Sequence, residues 1–291
     1  MRKMLVLVSM FALASNVFAV APWSGSGSAA DPYQIATAAD LAALKTQVDA
    51  SASYSASNFL QTADITLTAW AGIGTAENVS FNGVYDGGNK TINVQFDNGK
   101  YRGIFGFSKN ATIKNLNVHV TGHTSIGAYG TTGGAAFVGK AFSCTLQNLT
   151  ATCDAGAMGT AVTPLNHNVA GIAVWATQTT FTGCTNKMDL ATSYTKMAGI
   201  LAFCDVGNVT FNYCSNEGDI VSLHDHYDQC DSAAGILGWT GQTTGQSHVF
   251  NHCRNTGTIT CEQEGGANCV AVGNIIGYNH LAGSAVTLTG D

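Results

Sequence analysis

The sequence predicts an all-β protein folded as a parallel β-solenoid, with a single short helix near the N-terminus. Three observations lead to this prediction. Short runs rich in Val, Ile, Thr, Phe and Tyr follow one another after Phe59, separated by Gly and Asn. Two kinds of segment recur along the chain, the second of them at intervals of 30 to 39 residues. Only Pro164 follows Pro32, which suits ladders in which every strand needs its N–H groups. A β-sandwich is the alternative arrangement of such strands.

Composition and charge limit the class of protein. The chain has 291 residues, of which 45% are hydrophobic and 10% are charged. This much apolar material fills one large or two small cores and argues against a disordered chain. The formal net charge is −6. An acidic chain has no basic surface to neutralise phosphates, so we expect no nucleic-acid partner.

The N-terminus has the three parts of a secretory signal peptide. Two basic residues precede an apolar run that ends near Ala14, and the small residues Val17 and Ala19 suit a cleavage site. We therefore expect residues 1–19 to be removed and residues 20–291 to form one exported domain, secreted or held at the cell surface. No segment reaches transmembrane length, so no membrane span is expected. An uncleaved, buried N-terminal strand or helix is the alternative.

The one helix is predicted over about 38–48. Thr37 and Asp40 match a capping box, in which cap and third helical residue bond each other's backbone N–H. The apolar positions at helical spacing are Leu41, Leu44 and Val48. Such a helix would cover the open end of the first coil, where an unpaired edge invites aggregation. The coils would then occupy about 59–291.

The rest of the chain divides into repeated units. The first kind of segment is apolar and contains glycine or asparagine, in Gly103–Gly106, Ala136–Gly139, Ala170–Ala173, Ala198–Leu201, Ala234–Leu237 and Asn274–Gly277. The second kind follows each of the first five, in Ile113–Leu116, Leu146–Leu149, Phe181–Cys184, Phe211–Cys214 and Phe250–Cys253. A unit of two or three short strands cannot bury its apolar face alone, so neighbouring units must stack and share one core.

Stacking brings equivalent residues to a spacing of about 4.8 Å and makes columns of them. The last residues of the second segments would form an interior ladder of Leu116, Leu149, Cys184, Cys214 and Cys253. In this ladder a cysteine acts as a small hydrophobic side chain, and a disulfide between ladder neighbours is the alternative. A second column of Asn186, Asn216 and Asn255 would sit at a turn, where stacked amides satisfy one another and local backbone groups.

Two successive coils lengthen at the same corner. Ile220–Gly235 and Ile259–Asn274 each cover a separation of fifteen residues, against nine in the preceding Leu190–Gly199. The two insertions should therefore lie side by side. Their candidate binding residues are His224, Asp225, His226, Tyr227, Asp228, Glu262 and Glu264.

The donors of this corner suit two kinds of ligand. Carboxylate oxygens bind Ca²⁺ and imidazoles bind borderline metals, which makes His224, Asp225, His226 and Asp228 the candidate metal ligands. The same groups can hydrogen-bond a sugar on which a tyrosine ring stacks. A solvated polar corner without a ligand is the alternative. The prediction requires no cofactor, and Ca²⁺ is the candidate ion.

Nine cysteines in an exported chain permit disulfides, and the odd number leaves at least one unpaired. Cys230 and Cys269 are the preferred pair, because they lie ten residues beyond the equivalent Ile220 and Ile259. Stacking of the two coils would bring their Cα atoms within disulfide range. A bridge from Cys261 to Cys269 competes with this pairing.

A series of short motifs runs through the chain in a fixed order, in Trp23–Gly27, Asp31–Ile35, Ala39–Leu41, Phe59–Ile65, Phe81–Ile92 and Gly103–Phe107. These motifs resemble the secreted bacterial GLUG-motif proteins and the related repeats ahead of some immunoglobulin A protease catalytic domains. The resemblance implies a right-handed parallel β-helix on a secreted or cell-surface, adhesin-like protein. The later Gly-Ile units depart from the fuller Gly-Leu-x-Gly form. No H-E-x-x-H zinc motif follows, so the resemblance does not imply proteolysis.

The predicted function is adhesin-like binding, without catalysis, to a glycan or a surface protein. Cleavage of acidic polysaccharides needs clustered carboxylates and usually a cation that stabilises developing negative charge. Arg102 and Arg254 are the only arginines after the leader, and no spacing singles out a pair of carboxylates. A polysaccharide lyase or glycosidase on the same scaffold is the first alternative. A structural stalk, or a passenger fragment of a longer surface protein, is the second.

Overall fold

A computed structural model describes residues 22–97, 101–123, 133–160, 165–166, 168–224, 231–241, 245–263, 270–279 and 285–289. The described residues form one helix, α1 (Ala38–Asp49), and many short strands. The strands are β1 (Tyr33–Ile35), β2 (Asn58–Gln61), β3 (Ile65–Trp70), β4 (Val84–Asp86), β5 (Thr91–Phe96), β6 (Phe105–Lys109), β7 (Thr112–His123), β8 (Gly133–Gly134), β9 (Val138–Phe142), β10 (Thr145–Cys153), β11 (Asn168–Ala170), β12 (Ala173–Thr177), β13 (Thr179–Thr182), β14 (Thr185–Asn186), β15 (Leu190–Thr192), β16 (Lys196–Ala198), β17 (Leu201–Cys204), β18 (Val209–Asn212), β19 (Ser215–Asn216), β20 (Ile220–His224), β21 (Asp231–Ala234), β22 (Leu237–Thr240), β23 (Ser247–Asn251), β24 (Arg254–Asn255), β25 (Ile259–Gln263), β26 (Val270–Gly273), β27 (Ile276–Asn279) and β28 (Ala285–Thr289).

The strands stack into four sheets whose neighbouring coils pair in parallel. The large sheet has the order β1-β2-β4-β7-β10-β13-β18-β23-β28, with β3, β5, β14, β19 and β24 beside that path. The six-stranded sheet has the order β6-β9-β12-β17-β22-β27, the five-stranded sheet β8-β11-β16-β21-β26, and the three-stranded sheet β15-β20-β25. Because each coil adds a strand next to its equivalent in the previous coil, the fold is the predicted parallel β-helix and not a β-sandwich.

The predicted N-terminal helix is confirmed as α1. Thr37 Oγ1 accepts the N–H of Asp40 at 3.1 Å, and Asp40 Oδ2 accepts the N–H of Thr37 at 2.9 Å, which completes the capping box. The three apolar positions of the helix are buried in the same core as Phe59. No helix within the described part of the chain is long and apolar enough to cross a membrane.

The parallel ladder begins one strand earlier than predicted. β1 precedes the helix and pairs with β2, with Tyr33 opposite Phe59, so coil structure starts near residue 33 instead of 59. The reason this strand escaped prediction is its length, because three residues are too few to show a strand's alternating pattern.

The repeat alignment predicts the register of the large sheet correctly. Phe181 pairs with Phe211, which pairs with Phe250. Their buried rings stack with centroids 4.9 Å apart at each step and interplanar angles of 17° and 13°. One continuous core therefore runs along the β-helix, and its columns consist of equivalent residues.

The interior ladder lies where the spacing places it. Leu116 pairs with Leu149, and both are buried together with Cys184 and Cys214. Cys253, in the last of these coils, is partly buried. The three cysteines of the ladder are free thiols. The predicted asparagine column is also present, but it lies at the ends of the short paired strands β14, β19 and β24 and not in a turn. Asn186 Nδ2 donates to Asn216 Oδ1 at 2.7 Å, and Asn216 Nδ2 donates to Asn255 Oδ1 at 2.7 Å.

Candidate functional site

The predicted double-loop corner is described at its edges. β20 and β25 pair with Leu223 opposite Glu262 and His224 opposite Gln263, and Asp231 then pairs with Val270. The two coils are therefore in register on both sides of the insertions. The predicted binding residues Asp225, His226, Tyr227, Asp228 and Glu264 lie outside the described residues, as do Cys230 and Cys269. Metal binding, ligand binding and the disulfide at this corner remain predictions.

A second surface emerges on the outer face of the six-stranded sheet. In β12, Ala173 and Ala176 belong to the interior core, and in β17 the equivalent Leu201 and Cys204 do so. In these two strands the intervening residues, 174–175 and 202–203, lie outside the interior core. The outward residues in register along the sheet are Phe107, Lys140, Trp175, Phe203 and Trp239, and Tyr278 takes the next position of the backbone register.

Two lysines lie over the aromatic rings of this row. Lys140 Nζ is 4.1 Å from the centroid of the Tyr101 ring and 5.1 Å from that of Trp175. Lys196 Nζ, on the five-stranded sheet, is 4.4 Å from the centroid of Trp239 and 5.2 Å from that of Phe203. These distances are within the range of cation–π attraction, so each ammonium group is attracted to the rings beside it.

A buried apolar cluster lies between the outer faces of the six-stranded and five-stranded sheets. A small cluster separate from the main core joins buried Ala135, Ala170, Val174 and Ala202, with Phe203 packed against it. The sheets approach closely enough that a Cβ on Gly133 would lie 2.2 Å from Val174 Cγ1. Lys196 bridges the same two faces. We call the surface formed by the aromatic row and Lys196, over this buried cluster, the outer groove.

The two tryptophans of the outer groove are mostly buried, and a hydrogen bond orients one of them. Trp175 and Trp239 are each 8% exposed, so only their edges reach solvent. Trp175 Nε1 donates to Asp205 Oδ2 at 3.0 Å, which fixes the indole ring. The wall thus offers narrow aromatic edges, the partly buried Phe203 ring and two ammonium groups. This mixture is suited to an uncharged or anionic polar ligand with apolar faces.

The outer groove adjoins the predicted corner. Lys196 pairs with Ser232, directly after the first inserted loop, and Asp231 pairs with Val270, directly after the second. Both insertions therefore lead into the strands that form one wall of the groove. The sequence reasoning missed Lys140 and Lys196. The repeat alignment could have found Lys140, because it stands at the position that Trp175 and Trp239 hold in later coils.

Acid and metal chemistry has less support in the described residues. Within them, no group of three or more His, Cys, Asp or Glu side chains is arranged to hold a metal ion. The carboxylate nearest the groove, Asp205, is hydrogen-bonded to Trp175.

Comparison with known proteins gives one distant likeness and no family. No family model matches the chain, and no curated protein matches it. A solved structure from Bacteroides ovatus, of a "putative immunoglobulin A1 protease", is similar over 92% of this chain and 86% of that chain. The identity is 14% and the TM-score 0.47. A likeness this distant carries no functional argument.

Proposed function

We propose that this chain is an exported, adhesin-like binding protein that recognises an extended glycan along the outer groove, without catalysis. The observation that carries the proposal is the in-register row of aromatic and lysine side chains, one position in each of five successive coils, with Tyr278 at the equivalent backbone position of the sixth. The resemblance of the chain's sequence motifs to secreted GLUG-motif repeat proteins supports the same role. Membership of that family is part of the proposal.

The chemistry of the row suits sugars. The C–H faces of a pyranose pack on aromatic and alkyl surfaces, while its hydroxyl groups need hydrogen-bond partners such as lysine ammonium groups. The coils repeat at about 4.8 Å, so a linear polymer can meet equivalent side chains several times in succession. A compact ligand would use only one or two of these positions.

The test is a glycan array on the mature chain, residues 20–291, followed by affinity measurements. The expected result is selective binding of one class of oligosaccharide. Lys140→Ala should weaken that binding about tenfold, since a desolvated cation–π and hydrogen-bonding group contributes about 1–2 kcal/mol. Trp239→Ala should weaken it further, with melting temperatures recorded for both variants.

Lys114→Ala is the matched control. Lys114 belongs to the large sheet, where its Nζ lies 3.3 Å from Asp86 Oδ2, and its removal should leave glycan affinity unchanged. Silence across the array would overturn the proposal. Release of sugar from a polysaccharide would replace it with the lyase or glycosidase alternative.

A further inference from the structure

One corner of the large sheet repeats an unusual backbone conformation. Asn115, Asn148, Gly183, Tyr213 and His252 occupy equivalent positions in successive coils, and all have positive φ, between 51° and 61°. The flanking strand pairs, such as Thr182 with Asn212 and Asn212 with Asn251, establish the equivalence. This corner is therefore a left-handed turn in every one of these coils.

The residue types at the corner change along the β-helix. Asparagine and glycine are the residues that adopt the left-handed region at least cost, whereas a tyrosine there is strained. The first three coils follow this preference, and the next two place Tyr213 and His252 at the same point. Both side chains are exposed, and Tyr213 is 64% exposed, so neither gains core packing in return. Backbone strain kept without a gain in core packing indicates a role for the exposed ring.

The His252 ring covers only one face of the Tyr213 ring. The Tyr213 and His252 rings are parallel within 3°, with centroids 5.0 Å apart, so His252 covers the face toward the following coil. The preceding coil has Gly183 at this point and contributes no side chain. The three heavy atoms nearest to a Cβ built on Gly183 all belong to Asn148, and none belongs to Tyr213. The face of Tyr213 toward Gly183 therefore opens on a slot.

The other walls of the slot carry uncharged hydrogen-bonding groups. A Cβ on Gly183 would lie 2.8 Å from Asn148 Oδ1, so the Asn148 amide closes the far side. Asn148 Nδ2 donates to Asn115 Oδ1 at 3.0 Å, which orients that amide. Thr182 Oγ1, beside Gly183, accepts a bond from Asn212 Nδ2 at 3.4 Å. Two coil steps, about 9.6 Å, separate the Asn148 and Tyr213 backbones, which leaves room for one ring stacked on the tyrosine.

The nearest charges are already paired with one another. Glu217 lies between two cations, with its carboxylate oxygens 3.4 Å from Lys187 Nζ and 3.5 Å from Arg254 Nη2. These groups follow the corner in their coils, and two cations around one carboxylate leave a net charge of +1. A ligand in the slot therefore meets an aromatic face, an amide and a hydroxyl.

We propose that the slot above Gly183 binds a single neutral pyranose, which stacks on the uncovered face of Tyr213 and hydrogen-bonds the Asn148 amide. The slot lies on the large sheet, apart from the outer groove, and the proposal does not depend on glycan binding in that groove. Stacking on one exposed ring with few hydrogen bonds gives weak affinity, in the millimolar range.

Two substitutions test the slot while sparing the fold. Tyr213→Asn removes the ring and restores a residue that favours positive φ, so the melting temperature should stay or rise while sugar binding is lost. Gly183→Asn fills the slot and continues the asparagine ladder, because the atom it meets first is the end of the flexible Asn148 side chain. His252→Asn is the matched control, since it removes the neighbouring ring from the opposite face.

The assay is saturation-transfer difference NMR with methyl glycosides of glucose, galactose, mannose and N-acetylglucosamine. We expect at least one to receive saturation from the wild-type protein, and Tyr213→Asn and Gly183→Asn each to weaken its binding at least tenfold. His252→Asn should change it less than about threefold, and Trp239→Ala in the outer groove should not change it. Absence of transfer to every glycoside, or equal binding by wild type and the two slot variants, would overturn the proposal.

Discussion

Replacing Asn216 by alanine probes the polar column inside the β-helix. The Asn216 side chain is fully buried, donates to Gly218 O at 2.8 Å and to Asn255 Oδ1 at 2.7 Å, and accepts from Asn186 Nδ2 at 2.7 Å. Each such bond contributes about 1 kcal/mol, and a buried partner left unsatisfied adds about 1 kcal/mol or more. We therefore expect Asn216→Ala to lower the free energy of unfolding by about 3–4 kcal/mol.

Asn212→Ala is the control for this substitution, because the same coil carries a second asparagine ladder on its outer face. Asn212 is half-buried, accepts from Asn251 Nδ2 at 2.7 Å and donates to Thr182 Oγ1 at 3.4 Å. Water can replace these bonds, so its loss should cost about 1 kcal/mol or less.

Urea unfolding followed by circular dichroism measures both variants at equal protein concentration. The slope of the transition should stay constant if each variant unfolds the same coils as the wild type. The reasoning fails if Asn216→Ala costs less than about 1 kcal/mol, or if both variants shift the midpoint equally. Either result would mean that the buried amides find other partners.

Three further predictions concern buried or capping groups. Burial lowers the pKa of His248 to about 4, so the contribution of His248 to stability is complete above about pH 6.5 and declines by up to about 3 kcal/mol as the pH falls toward 4. His248→Gln should flatten the pH dependence of the urea midpoint between pH 6.5 and 4. A pH dependence equal to that of the wild type would contradict the lowered pKa of His248. Burial raises the pKa of Cys144 to about 11 and that of Cys204 to about 12, so both thiols should resist alkylation at pH 8 until the protein is unfolded; peptide mapping that finds either one modified in the native protein would count against this. Loss of the helix cap in Thr37→Ala should cost about 1 kcal/mol, whereas Thr37→Ser should restore it, and equal melting temperatures for the two variants would show that the cap bond contributes little.

The repeat spacing made much of the fold predictable. Equivalent residues in a β-solenoid must stack, so counting between Phe181, Phe211 and Phe250 was enough to set their pairing. The same counting placed the asparagine column, because a strand end that recurs in each coil brings its side chains within bonding distance. The α1 cap was predictable for a local reason, since Thr37 and Asp40 bond within one turn of chain.

The candidate sites were less predictable, because they depend on side chains from different segments. The counting predicts that the two inserted loops lie side by side, and the structure describes only the strands that flank them, where Asp231 pairs with Val270. It did not show that Lys196 crosses from one sheet to the rings of another. Nor could it show which face of Tyr213 is open, since that depends on the absence of a side chain at Gly183 thirty residues earlier.

The sequence by itself determined the class of fold, the order of the coils and their register, because these follow from a period that every coil repeats. It also determined the N-terminal helix, whose cap is local. Only the tertiary structure decided which outward residues share a surface, because the angle between two sheets and the bend of each corner are set by packing. The outer groove and the slot beside Tyr213 both exist for that reason. Their residues are ordinary in sequence and become sites when neighbouring coils bring them together.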